Sequence, residues 1–207
     1  MSVYLSRPNH IAIAGVRDPE NISSKSLNSL PTGSGSKLLG VKIESGSETD
    51  AKSAIALLQS SHQVTHFDFV LANAAIENFW GKIVDVAIES MLEHYKINTI
   101  GPVLLFQATL PLLNTATKPK FVIMSLGAAS ITIMDQFPFD TTPYCCFKVA
   151  TSYLAKKIHC EYPNLIACLL NHGSLETDMG LEVAKHVPSV PELPMGSMEA
   201  VVKGIIE

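Results

Sequence analysis

The chain has 207 residues, of which 47% are hydrophobic and only 16% charged, a length and balance suited to one domain, residues 1–207, with a sizeable core. A formal net charge of −4 excludes the basic footprint of a nucleic-acid binder. No apolar run approaches the ~18 residues that span a bilayer, and no signal-peptide pattern opens the chain.

Met1–Arg7 reads as the tail of a helix halted at Pro8-Asn9, and His10–Val16 as the first strand, followed by Arg17-Asp18-Pro19. Residues 20–31 suggest a weak helix, and Pro31-Thr-Gly-Ser-Gly-Ser36 a flexible turn rather than a phosphate cradle. Leu38–Ile43 forms a second strand. Ser47-Glu-Thr-Asp50 opens a helix to about residue 61, with Ala54, Ile55, Leu57 and Leu58 on its inner side. Phe67–Asn73 is the third strand, and a long helix covers roughly 88–113, with Pro102 placed to kink it.

After the turn at Lys118-Pro-Lys120, the apolar run Phe121-Val-Ile-Met124 is a buried strand ending at Ser125. Thr141, Thr142 and Pro143 then cap and start a helix that continues to about Tyr162. Leu165–Leu170 is the fifth strand, residues 171–178 a loop, and a last helix follows from about Met198. Strands alternating with helices predict a doubly wound α/β fold with about five parallel strands and right-handed crossovers. Cys145, Cys146, Cys160 and Cys168 lack metal-ligand spacing, so they read as reduced thiols of a cytoplasmic protein, and no metal is expected.

Tyr144 and Lys148 are four residues apart and share one helical face. A lysine beside a phenol stabilises the phenolate, which suits Tyr144 to proton transfer. Together with Asn98-Thr-Ile-Gly101 and Leu71-Ala-Asn73-Ala-Ala75, this strand–loop–helix resembles the short-chain dehydrogenase/reductase family, and within it the fungal ketoreductases of the norsolorinic acid ketoreductase type. The resemblance runs from about Tyr4 to the C-terminus. It implies a Rossmann-like sheet and catalytic roles for Tyr144 and Lys148, with Asn98 bending its helix. It also implies a homodimer or higher homo-oligomer built on the helices bearing Asn98 and Tyr144.

Measured against that family, the sequence lacks the first strand and its glycine-rich turn, and it stops before the final strand. Loss of the central strand predicts either direct pairing of residues 10–16 with 67–73 or completion by a partner chain. The family's catalytic serine position falls on Leu126, one residue after Ser125, and adjacent strand residues face opposite sides. His172-Gly173 stands in place of the usual Pro-Gly, at the strand end where such folds bind ligands. The resemblance gives Arg17, Asn73 and Thr177 cofactor contacts if NADP is bound. Phe137 and Phe139, with Trp80 after the Asn73 loop, form either an aromatic lid over a flat polyketide- or terpenoid-like substrate or packing filler.

Hydride transfer needs a cofactor anchored in productive geometry, whereas proton transfer needs no nucleotide. The expected activity is therefore a non-redox step of secondary metabolism with no cofactor: a cyclisation, isomerisation, dehydration or pericyclic reaction. It would run on Tyr144 and Lys148, with Asn98, Ser125 and His172 assisting. The alternatives are an NADPH-dependent ketoreductase acting on a polyketide-like carbonyl, and a non-catalytic member of the family. The substrate under either catalytic reading is a small apolar molecule.

Overall fold

A computed structural model of the chain describes residues 1–136, 139–173 and 177–186. The residues fall into two units, 1–64 and 65–207, taken here in turn.

In the first unit, the short helix α1 (Ser2–Leu5) leads to strand β1 (Ile11–Val16), a helical turn α2 (Ile22–Lys25), strand β2 (Lys37–Lys42) and helix α3 (Asp50–His62). β1 and β2 are parallel, in register from Ile11 opposite Lys37 to Val16 opposite Lys42. The Pro31–Ser36 segment is a packed turn. The Gly33 N–H donates to the Leu5 carbonyl, and a Cβ on Gly33 would lie 2.4 Å from the Arg7 carbonyl oxygen, so only glycine fits this approach. Asp50 begins α3 by accepting from the Glu44 N–H and the Ser47 hydroxyl. Ala51, Ala54, Ile55 and Leu58 are buried at helical spacing. Leu57, expected on that inner face, is 46% exposed, because it sits about 100° around the helix from Leu58.

The second unit holds the sheet β3 (Phe69–Ala72), β4 (Lys120–Ser125) and β5 (Ile166–Asn171), all parallel, with β4 in the middle. A parallel strand between two neighbours is covered on both faces, which explains the unbroken apolar run Phe121-Val-Ile. Phe106 of helix α5 (Gly101–Leu113) packs edge-on to Phe121, ring centroids 5.0 Å apart, and to Tyr162 at 5.4 Å. Leu113, Ile123, Ala155, Ile158 and Leu165 complete this core.

The long helix expected over 88–113 is α4 (Ile88–His94), a π-helical turn at Tyr95–Ile100, and α5. The irregularity therefore lies at Asn98 rather than at Pro102, which sits in the first turn of α5 where its missing N–H breaks nothing. Helix α6 (Thr142–Glu161) carries Tyr144 and Lys148, and α7 (Asp178–His186) begins where the expected 171–178 loop ends, in a stretch with no expected element. Asp178 lies in the first turn of α7, where its charge suits the helix dipole.

Among the described residues β1 pairs with β2, and β3 pairs with β4; direct pairing of the 10–16 and 67–73 stretches does not form. Phe137 and the helix expected from Met198 lie outside the described residues. No described helix is long and apolar enough to cross a membrane, and no described group of His, Cys, Asp and Glu could hold a metal ion.

Candidate active site

The second unit brings its chemistry to the C-terminal ends of its strands, where parallel α/β sheets bind ligands. Asn73 follows β3 and is exposed. Ser125 closes β4 and is buried opposite Asn171 at the end of β5. A groove of about 210 Å³ opens here, lined by Ser125, Gly127, Ser130, Ile133, Leu169 and Asn171 among others. Ser125 and Leu126 both line this groove.

α6 begins beside it. Pro143, in the first helical turn, is preorganised for that position, and Tyr144 and Lys148 follow on one face. Lys148 is 3% exposed, and its ammonium donates to the Met124 carbonyl at 2.7 Å. The same ammonium lies 5.6 Å from the centre of the Tyr144 ring. Burial pulls Lys148 down to about 8. Burial pushes the Tyr144 phenol well above its ordinary value, and the charge of Glu77 adds to the rise. In the free protein desolvation therefore outweighs the lysine, the reverse of the expected lowering of Tyr144. Burial likewise pushes the neighbouring Cys145 thiol up to about 12.

Asn98 has its side chain committed to backbone. Its Oδ1 accepts from the Ile76 N–H at 2.8 Å and its Nδ2 donates to the Ile76 carbonyl at 2.9 Å. The two bonds clamp the loop after β3, so Asn98 positions the site. His172 is turned onto its own loop, with Nδ1 donating to the Gly173 carbonyl at 2.7 Å; Asn171, not His172, lines the groove. Trp80 stacks on His186 of α7, rings 4.8 Å apart and 6° from parallel, which ties the loop after β3 to α7. Phe139 is half-buried beside the start of α6. Thr177 caps α7, its Oγ1 accepting from the Gly180 N–H at 3.0 Å. Arg17, in the first unit, is exposed just past β1.

The residues that sequence reasoning missed are Glu77, His94 and Thr141. Thr141 Oγ1 donates to Glu77 Oε2, the Phe79 N–H donates to Glu77 Oε1 at 3.2 Å, and the Gly81 N–H donates to the Asp140 carbonyl at 2.8 Å. These bonds fasten the loop after β3 to the threshold of α6. The one available signal was the spacing of His94 and Asn98, which puts both on the same buried helical face.

No protein-family model matches the chain. Over 186 residues it is 37% identical to a norsolorinic acid ketoreductase of Emericella nidulans, covering 89% of this chain and 70% of the relative. It is 38% identical over 196 residues to a short-chain dehydrogenase of Neurospora crassa, covering 93% of this chain and 77% of that protein. Its backbone follows an NADPH-bound carbonyl reductase from chicken fatty liver with a TM-score of 0.75 at 22% identity, over 86% of this chain and 81% of the other. These relatives overturn the expectation of a cofactor-free, non-redox reaction, because those named for an activity are oxidoreductases. That expectation rested on the pyrophosphate turn alone. Ser125, Tyr144 and Lys148, the residues expected to act on substrate, lie on β4 and α6, and both elements form. By its similarity to these oxidoreductases over most of its length, the chain belongs to the short-chain dehydrogenase/reductase family.

Proposed function

We propose that this chain is an NADPH-dependent ketoreductase acting on the carbonyl of a flat, polyketide-like molecule. The observation that carries the reading is the pairing of Tyr144 with a buried Lys148 ammonium 5.6 Å from its ring, held to the Met124 carbonyl of β4. The likeness to a norsolorinic acid ketoreductase over 89% of the chain supports it.

The residues present fit such a cofactor. The Lys148 ammonium has three donors and spends one on Met124, leaving two for ribose hydroxyls. Asn73 and the Thr177 hydroxyl would take the remaining polar contacts of the nicotinamide half. When bound, NADPH supplies the hydride.

Tyr144 protonates the carbonyl oxygen as negative charge develops there. Lys148 stays charged below about pH 8 and compensates the phenolate left behind. Ser125 donates to the same oxygen from the strand end, and Asn98 keeps the loop after β3 in place. The exposed thiols of Cys146, Cys160 and Cys168 suit a reducing compartment such as the cytoplasm.

Two measurements test the proposal. NADPH at a hundredfold excess over its dissociation constant stabilises the fold by about 2.7 kcal/mol if it binds only the native state. Tyr144→Phe then lowers reduction of a polycyclic ketone by at least ~10² with binding of NADPH retained. A wild-type thermal midpoint indifferent to NADPH refutes the reading.

A further inference from the structure

Behind Tyr144 lies a buried acid–base pair that the reaction as derived does not use. The Glu77 carboxyl is 2% exposed and the His94 imidazole 0%, with Oε1 and Nε2 3.9 Å apart. His94 Nδ1 lies 2.8 Å from the Ser90 carbonyl. A carbonyl only accepts, so Nδ1 carries a proton in every charge state. Nε2 has no hydrogen-bond partner among the described residues. The group in this pocket that gains or loses a proton is the Glu77 carboxyl.

We propose that Glu77, buried against His94, is a positioning residue whose proton sets the charge facing Tyr144 during carbonyl reduction. The inference rests on the ketoreductase reading for its link to turnover. With its proton held, the Glu77 carboxyl is neutral. When a solvent base removes it, one uncompensated carboxylate remains near the phenol, which then becomes a weaker acid and a slower proton donor.

The surroundings determine the direction. His94 comes from α4, Thr141 from the N-cap of α6, and Tyr144 and Cys145 from α6; the Lys148 ammonium lies 5.6 Å from the centre of the phenol ring, and the exposed Glu93 is bound by Asn78. Thr141 and the Phe79 N–H stabilise the carboxylate, but burial dominates and pushes Glu77 up to about 7. Its proton is therefore lost within the range where the enzyme works.

The test uses Glu77→Gln, whose amide oxygen takes over the Thr141 bond and whose N–H faces His94 Nε2 at the cost of the Phe79 bond, and which cannot titrate. With NADPH and 9,10-phenanthrenequinone as the probe carbonyl, wild-type kcat should fall severalfold as pH rises through the neutral range. The Glu77→Gln profile should stay flat there, exceed wild type at the alkaline end, and leave KM within about twofold.

A second readout needs no turnover. A carboxyl raised from 4.5 to about 7 in the folded chain contributes stability below 4.5 and loses it as pH rises through 7. The wild-type thermal midpoint should accordingly slope downward over that window, and the Glu77→Gln midpoint should not. Thr141→Val, which removes a bond that favours the carboxylate, should move both wild-type inflections to higher pH, and it serves if Glu77→Gln fails to fold. A Glu77→Gln enzyme that keeps the wild-type kcat inflection overturns the proposal. So does a wild type whose midpoint is level across the window. A wild type that shows the stability slope but reduces no carbonyl removes the ketoreductase reading, and with it the link to catalysis.

Discussion

Lys148 should make the fold less stable than an apolar residue of the same length would, and Lys148→Met tests this. Its ammonium is buried, and burial lowers it from the usual 10.5 to about 8. Folding at neutral pH thus holds a charge the interior disfavours. At ~1.4 kcal/mol per pH unit, the difference amounts to about 3 kcal/mol. The sign follows from the direction of the change. A base depressed in the folded state withholds stability below the folded value and restores it as pH rises to the unfolded value.

Lys148→Met removes that cost at pH 7 but forfeits the hydrogen bond to the Met124 carbonyl, worth about 1 kcal/mol. The variant should therefore be more stable than wild type by about 2 kcal/mol at pH 7, raising the melting midpoint by roughly 4–8 °C for a chain of this size. By about pH 11, above the unfolded value, the ordering should reverse, with the variant weaker by about 1 kcal/mol. Urea unfolding of both proteins at the two pH values measures this directly, while carbonyl reduction by the variant should vanish. A Lys148→Met protein less stable than wild type at pH 7 would show that the ammonium is solvated or paired in the native fold.

Phe121→Ala, at the centre of the middle strand and in edge contact with Phe106, should cost about 4 kcal/mol in urea unfolding; a loss below 1 kcal/mol would place the core elsewhere. Ile88, Leu92 and Tyr95 form an exposed apolar stripe at helical spacing on α4 and the turn after it, on the helices expected to join subunits. Leu92→Asp should therefore shift the chain toward monomer in sedimentation velocity, with NADPH binding by the isolated chain retained; an unchanged sedimentation coefficient would count against that face.

Much of the sheet was legible because parallel strands are apolar along their whole length, and Phe121-Val-Ile and Leu169-Leu170 could hardly be anything else. Tyr144 and Lys148 were legible because i and i+4 on a helix must share a face. Asn98 carried its role in its residue type, since an amide inside a helix competes with the ladder, and here it takes over Ile76 and opens a π turn. Glu77 and His94 were not legible. Their burial is a product of the loop after β3 folding onto α6, and nothing local distinguishes them from solvated charges. The functional misreading had a related origin: a missing glycine motif was weighed more heavily than the side chains present on β4 and α6.

The most direct measurement follows the hydride. Incubated with a polycyclic ketone and NADPH carrying deuterium at the transferable C4 position, the protein should yield an alcohol with one deuterium on the carbinol carbon and one NADP⁺ per alcohol, and Tyr144→Phe should suppress both. Product formed without deuterium and without NADPH consumption would contradict carbonyl reduction at this site.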